Sequence, residues 1–464
     1  MSETKPKNRN PTPSPERRVR DQVARVVGRY FQVVEEELQI GDCSVSNLIS
    51  EFGSPLYVYD QQIISRKISE VRQTLPQRFE LYYSIKANPN AEILRIILAE
   101  RCGLEVASAG ELQLALAAGC QPTNIIFAGP GKTERELAHA VQNGIGEIHV
   151  ESIEEARWIH ALAQKLKRVC PIALRVNPND SAGGAMRMGG KPSPFGIDEE
   201  QLGPVIDEIK KLWHVKIQGV HQFMGTQILD ASILLKQYQR ALEIARQIAG
   251  RLGEPLKTLD FGGGWGTPYF PHESELDLAA VTEGLKSIDA QMAADPLLSR
   301  TSAIIEPGRF LVNESGVYLT TVTRIKHSRG KIFAVIDGGM HHHLAASGNL
   351  GQTIKRNYPL AIVNKLGAKD EQTVEITGPL CTPLDTLGRS IALPLITAHD
   401  VVGVFLSGAY ARTSSPLGFL SHSAPAEVLV QGGHAKLIRR CGTPEDYLAD
   451  QINPPTPTRL STEK

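Results

Sequence analysis

The sequence predicts an α/β protein, a (β/α)8 barrel followed by an all-β domain. Between about residues 80 and 310, short apolar segments alternate with segments of helical periodicity. Beyond 310 the texture changes to β-branched runs separated by Gly, Pro and Asn. In addition, the residues able to do chemistry fall where the predicted barrel strands end, which is the face on which such barrels carry their active sites.

Taken in order, residues 1 to about 16 are rich in Pro, Ser, Asn and Lys and predict a disordered tail. Arg17 to Leu38 carries Val19, Val23, Val26, Val27, Phe31 and Val34 at helical spacing and predicts an accessory helix, so that 1–40 forms a first segment. In segment 41–60, Leu56-Tyr-Val-Tyr59 after Gly53-Ser-Pro55 predicts a strand that joins the β-domain. The barrel spans 61–310, with strands over 81–86, 103–107, 124–128, 147–151, 171–176, 217–224, 257–261 and 302–306. Helices are expected over 91–100, 109–118, 133–143, 152–167, 198–211, 229–252 and 275–293. A doubly wound open sheet would need a dinucleotide fingerprint or a switch point, and neither is visible. The β-domain covers 311–450, with strands read at Gly316–Val322, Lys331–Ile336, Thr373–Thr377, Val401–Leu406 and Ala426–Val430. Residues 451–464 predict a loose tail.

The 464 residues exceed one ordinary core, in keeping with two domains. Lys plus Arg equals Asp plus Glu at 50 each, so net charge steers the chain toward neither nucleic acid nor anionic membrane. Six scattered cysteines lack metal-ligand spacing and fit a reducing compartment. No apolar run reaches the length of a membrane span and no signal-peptide core is visible, so the expected location is the cytoplasm.

Strand one ends in Lys86. A lysine at a strand mouth with an apolar wall behind it suits a Schiff-base nucleophile, because desolvation lowers the pKa of the ammonium and frees the amine. Against that stands the ordinary solvated lysine. Strand seven ends in Asp260-Phe-Gly-Gly-Gly-Trp-Gly266, whose glycines let backbone N–H groups approach a phosphate. Strand eight ends in Glu306-Pro-Gly-Arg309. Arg309 offers a forked contact to the same phosphate, and Glu306 suits a pyridine nitrogen, which a carboxylate keeps protonated. A buried ion pair between Glu306 and Arg309 is the alternative. His341-His-His343 is not read as a metal site, since consecutive side chains splay apart. The loop Ser181–Phe195 reads either as an active-site flap or as a passive connection.

Tyr83-Ser-Ile-Lys-Ala-Asn88, Glu105-Val-Ala-Ser-Ala-Gly-Glu111, Asp260-Phe-Gly-Gly-Gly264, Glu306-Pro-Gly-Arg309, Gly378-Pro-Leu-Cys381 and Gly408-Ala-Tyr410 stand in this order along the chain. Over about residues 41 to 440 it thereby resembles the fold-type III pyridoxal-phosphate (PLP) decarboxylases, which include diaminopimelate and ornithine decarboxylases and share the alanine-racemase barrel. The resemblance implies that Lys86 carries the cofactor as a Schiff base. It assigns the phosphate to Gly262, Gly263, Gly264, Arg309 and Tyr410, the pyridine nitrogen to Glu306, and counts Gly308 among the cofactor-binding residues. It also implies a homodimer in which Cys381 approaches the partner's cofactor, and Cys381 or a nearby acid reprotonates the substrate carbon after CO2 loss. Racemases of this fold use an arginine at the pyridine nitrogen, so Glu306 with Cys381 favours decarboxylation.

Two departures stand out. The family's stacking histidine is replaced by Phe223, with His221 two residues earlier as a partial substitute or a buried, hydrogen-bonded histidine. The acid that normally follows the cysteine is replaced by Thr382, with Asp385 farther along the loop, and Arg356 and Tyr358 lie off the spacing used for a distal carboxylate. The expected activity is therefore decarboxylation of diaminopimelate, in lysine biosynthesis, or of another acidic or carrier-protein-bound amino acid, as in the branches that act on a carrier-tethered glutamyl group or accompany exopolysaccharide and exosortase genes. A PLP-binding protein without turnover is the non-enzymatic alternative.

Overall fold

The computed structural model describes residues 15–179, 186–187, 192–369 and 371–452. The expected tails over 1–14 and 453–464, and most of the Ser181–Phe195 loop, lie outside these residues. Two compact units result. One comprises Asp60–Gly316 and Leu406–Thr413, the other residues up to Tyr59, Val317–Phe405 and the chain from Ser414.

The first unit is a closed parallel barrel. Its strands are Phe79–Ser84, Gly103–Val106, Ile125–Phe127, Glu147–Val150, Cys170–Asn177, Val215–His221, Thr258–Asp260 and Ser302–Ile305. Each pairs in parallel with the next, and Ser302–Ile305 pairs back onto Phe79–Ser84 to shut the ring. The eight strands near 80–310 are thus where the sequence puts them, one or two residues shorter at several ends. Strand residues are buried on both faces, as a parallel sheet wrapped by helices demands.

Helix starts carry their own chemistry. Asn90, Ser108, Ser152, Asp230 and Asp277 each accept a backbone N–H from the first turn, and Thr133 with Glu136 closes a reciprocal capping box. Gly144 and Gly253 end two helices in the left-handed conformation. The helix Gln61–Thr74 is not among the predicted segments. It is capped by Asp60, buries Ile63, Ile64, Ile68 and Val71, and lies between helices Leu278–Ala294 and Ala91–Ala99. It thereby completes the helical ring, because only the short Arg309–Val312 helix follows the eighth strand.

The second unit is a mainly antiparallel sheet. Strands run Thr386–Leu393, Gln372–Thr377, Lys331–Ile336, Gly316–Ser328, Leu56–Asp60, Ala426–Gln431 and His434–Arg439, with Val401–Val404 attached to Gly316–Ser328 and Leu360–Ile362 in turn paired with Val401–Val404. Leu56–Asp60 sits in the middle of this order, as expected for the early strand. The N-terminal helix is shorter than predicted. It spans Pro15–Tyr30, and Gln32–Val34 and Glu37–Ile40 then form an antiparallel hairpin. Glu35 and Glu36 both take positive φ, which is what a two-residue turn between twisted strands requires. That turn and the β-branched Val33 and Val34 override the helical spacing.

Candidate active site

A cavity of about 230 Å³ opens at the C-terminal ends of the barrel strands. Lys86, Glu105, Arg175, Phe223, Glu306, Arg309 and Tyr410 line it together with Gly263, Gly264 and Gly308. Strand one ends at Ser84, and a single 3-10 turn, Ile85–Ala87, then turns Lys86 into the cavity with 44% of its side chain exposed.

Lys86 Nζ lies 2.6 Å from Glu105 Oε2, at the end of the neighbouring strand. Burial pulls the ammonium down, but the Glu105 carboxylate, with Tyr410 and Glu306 beyond it, outweighs burial and holds the pKa above the ordinary lysine value. The expectation of a depressed lysine is therefore corrected. In the same pair, burial raises the Glu105 carboxyl, yet the Lys86 ammonium more than offsets it and leaves it below its usual value.

The glycine turn after strand seven leaves no room for side chains. A Cβ on Gly263 would stand 2.3 Å from the Glu306 carbonyl oxygen, and one on Gly264 would stand 2.5 Å from that of Gly225. Gly262 and Gly264 also take positive φ. Arg309 donates to the Tyr269 hydroxyl, and its guanidinium lies 4.6 Å from the Tyr410 ring centre. Tyr410 arrives from far along the chain. Leu406–Thr413 returns to the barrel, where Ser407 N–H donates to Gly316 O (2.9 Å), Gly408 N–H to Asn313 O (3.0 Å) and Tyr410 N–H to Ala87 O (2.9 Å).

Glu306 and His221 line the cavity, with Asp260 and His149 buried beside them. Glu306 and Asp260 end adjacent strands, and both are buried. His221 Nε2 is 3.8 Å from Glu306 Oε2, and its ring lies 4.5 Å from that of His149, tilted by 41°. Neither His221 nitrogen makes a hydrogen bond among the described residues, so the hydrogen-bonded histidine of the sequence reading is not what forms. Burial, then His149 and Arg175, pushes its pKa well below the ordinary value and leaves it neutral. Glu306 does not pair with Arg309. Its carboxyl is pushed well up, by burial first and by Asp260 second.

Arg175 and His149 were missed by sequence reasoning, although both stand near strand ends, which is the signal that could have found them. Arg175 is buried, bonds Glu151 at 2.6 Å and lies 4.9 Å from the Phe195 ring centre. Glu151 in turn accepts the Gly196 N–H at 2.6 Å, which anchors the described end of the 181–195 loop beside the cavity.

The other predicted residues belong to the β-unit. Cys381 is an exposed free thiol and Thr382 is half-buried beside it. Asp385 is buried, with its carboxylate accepting the backbone N–H groups of Met340 (2.6 Å) and Leu380 (2.9 Å). It pins the loop that carries Cys381. Tyr358 is buried edge-on against His343, whereas Arg356 is exposed. His342 bonds Ser423 O at 3.0 Å and faces the Tyr318 hydroxyl at 3.2 Å, so the three histidines pack within the β-unit.

A barrel of this topology, with a lysine, a glycine turn, an arginine and a buried acid on one rim, is built to hold a phosphorylated pyridine aldehyde. The sequence agrees. Residues 61–313 match the pyridoxal binding domain of the pyridoxal-dependent decarboxylases, and the chain belongs to that family. It is similar to the L-glutamyl-[BtrI acyl-carrier protein] decarboxylase of Niallia circulans, with 39% identity over 89% of this chain and 97% of the relative. It is also similar to the diaminopimelate decarboxylase of Aquifex aeolicus, with 30% identity over 89% and 94% of the two chains. Among solved structures, the diaminopimelate decarboxylase of M. jannaschii in complex with L-lysine matches 92% of this chain and 98% of its own, at 26% identity and a TM-score of 0.83. The protein is a PLP-dependent decarboxylase. Among the described residues, no helix is long and apolar enough to cross a membrane.

Proposed function

We propose that this enzyme removes the α-carboxyl of a glutamyl-type amino acid presented on a carrier protein. The observation that carries this reading is Thr382, a neutral side chain where the family's diamino-acid enzymes place an acid. PLP chemistry at Cα needs a free α-amine and α-carboxylate, so a tethered glutamyl group must be joined through its distal carboxyl. That end is then a neutral acyl link, with no charge to be read. The 39% identity to a relative named for a carrier-bound glutamyl substrate supports the same choice.

In this reading Lys86 holds the cofactor covalently, the Gly262–Gly264 turn with Gly308, Arg309 and Tyr410 holds its phosphate, and Phe223 stacks on its ring. Bound PLP supplies an electron sink for the pair of electrons left when CO2 departs. Glu306 would pair with the ring nitrogen. Cys381, from the partner of a homodimer, delivers the proton to Cα, which its exposure in the β-unit permits.

CO2 release tests the substrate. Glutamyl-loaded carrier protein is expected to give turnover at least ten times that of free glutamate or diaminopimelate at equal concentration. Preference for free diaminopimelate would replace this reading with the lysine-biosynthetic one, which the diaminopimelate decarboxylase relatives favour.

A further inference from the structure

Asp260 and Glu306 are two carboxyls taken out of water at the ends of adjacent barrel strands, Glu306 lining the cavity, with relative exposures of 0% and 5%. One ligand atom from each, and one from His149 and His221, all lie within 4.8 Å of one another. Asp260 Oδ1 accepts the Gly262 N–H at 2.7 Å, while Asp260 Oδ2 and Glu306 Oε1 accept no hydrogen bond among the described residues. The cations nearby are committed elsewhere, Lys86 to Glu105 at 2.6 Å and Arg175 to Glu151 at 2.6 Å. His149 Nε2 faces Glu147 Oε1 at 3.2 Å and Asp260 Oδ2 only at 3.9 Å. His221 Nε2 faces Glu306 at 3.8 Å.

Two adjacent buried carboxyls without a cation cannot both stay ionised, so one proton remains with the pair. We infer that Asp260 and Glu306 share one proton in the cofactor-free protein and that this proton passes to the pyridine nitrogen when PLP binds. The step balances. An O–H bond of the pair breaks, an N–H bond of the ring forms, the pair goes from one negative charge to two, and the ring gains one positive charge. The doubly ionised pair is then sustained by the pyridinium above it. Asp260 acts through Glu306 and is a positioning residue. Burial pushes both carboxyls up, Asp260 to about 7 although contact with Glu306 and the Gly262 N–H pulls it down, and Asp260 raises Glu306 further, which agrees with a proton retained near neutrality. The inference rests on the reading of Glu306 as the partner of the ring nitrogen.

Infrared difference spectra of the full-length enzyme, with and without added PLP, test it at neutral pH. Expected is a protonated-carboxyl C=O band in the PLP-free protein that downshifts in D2O and disappears when PLP binds. Asp260→Asn keeps an oxygen for the Gly262 N–H, and both it and Glu306→Gln are expected to shift or abolish the band. A band insensitive to Asp260→Asn would overturn the sharing, and a band that survives PLP binding would overturn the transfer. Absence of the band overturns both, as it would if a metal ion among the four groups held both carboxyls ionised. Visible absorbance of bound PLP, read in parallel, separates these outcomes from failure of the cofactor site itself. Normal absorbance in Glu306→Gln would overturn the reading of Glu306 and the inference with it.

Discussion

Lys86 and Glu105 form a 2.6 Å ion pair between the ends of adjacent barrel strands, and the pair sets the charge of the amine. Lysine alone at a desolvated mouth would be primed as a free base; beside Glu105 it is a held cation. The folded pKa of Lys86 is raised, so its contribution to stability is complete below the unfolded value of about 10.4 and is lost as pH rises through the folded one. Glu105 is lowered, so its contribution is present above about 4.3 and lost as pH falls through the folded value. In Glu105→Gln the amine loses this restraint. The pH dependence of PLP incorporation, trapped by borohydride reduction, is expected to move its acid limb about one unit or more toward lower pH. An unmoved limb would show that Glu105 does not control Lys86.

Gly263 is fixed by backbone. Its added Cβ would meet the Glu306 carbonyl oxygen, which has no side-chain freedom with which to retreat. Gly263→Ala is expected to cost about 1–3 kcal/mol of stability and to weaken PLP binding more than tenfold, as measured by thermal unfolding and cofactor titration.

Lys67 and Glu314 lie 3.4 Å apart, both almost wholly buried, with the Lys67 ammonium 3.8 Å from the Phe310 ring centre. Lys67 also lies 3.6 Å from Glu70 Oε2, so its removal takes a buried cation away from both carboxylates. Lys67→Met is expected to cost about 3–5 kcal/mol. The double variant Lys67→Met/Glu314→Gln should recover much of the loss, and a double-mutant cycle in urea measures the difference.

Asp385 and Thr382 separate by readout. Asp385→Ala frees two backbone N–H groups and is expected to lower stability by about 1–3 kcal/mol. Thr382→Asp leaves stability within about 0.5 kcal/mol and is expected to raise kcat/KM for diaminopimelate about tenfold, by adding an acid for its distal ammonium. Equal effects of Thr382→Asp on diaminopimelate and glutamyl carrier would remove Thr382 from substrate choice.

Local patterns were enough for the barrel, because each strand is a short apolar run and most helix starts carry their own cap, as Thr133 with Glu136 does. Lys86, the glycine turn and Glu306 were legible for the same reason, since each ends a strand and strand ends converge in a closed ring. Helix Gln61–Thr74 was overlooked because the alternating strands and helices were counted only from the first barrel strand. The hairpin at Glu35-Glu36 was misread because its valines also satisfy helical spacing.

What the sequence by itself determined is the kind of protein, a barrel whose strand ends carry Lys86, Gly262–Gly264 and Glu306. Only the tertiary structure decided their electrostatics. Glu105, 19 residues from Lys86, reverses its expected pKa shift; Asp260 and His221 surround Glu306; and Tyr410 reaches Arg309 through a segment that comes back to the barrel from about 100 residues away. The physical reason is that a strand's pattern is written in its own residues. The charge on a buried group is set by whichever groups the fold brings within a few ångströms, and their separation in sequence carries no trace of that distance.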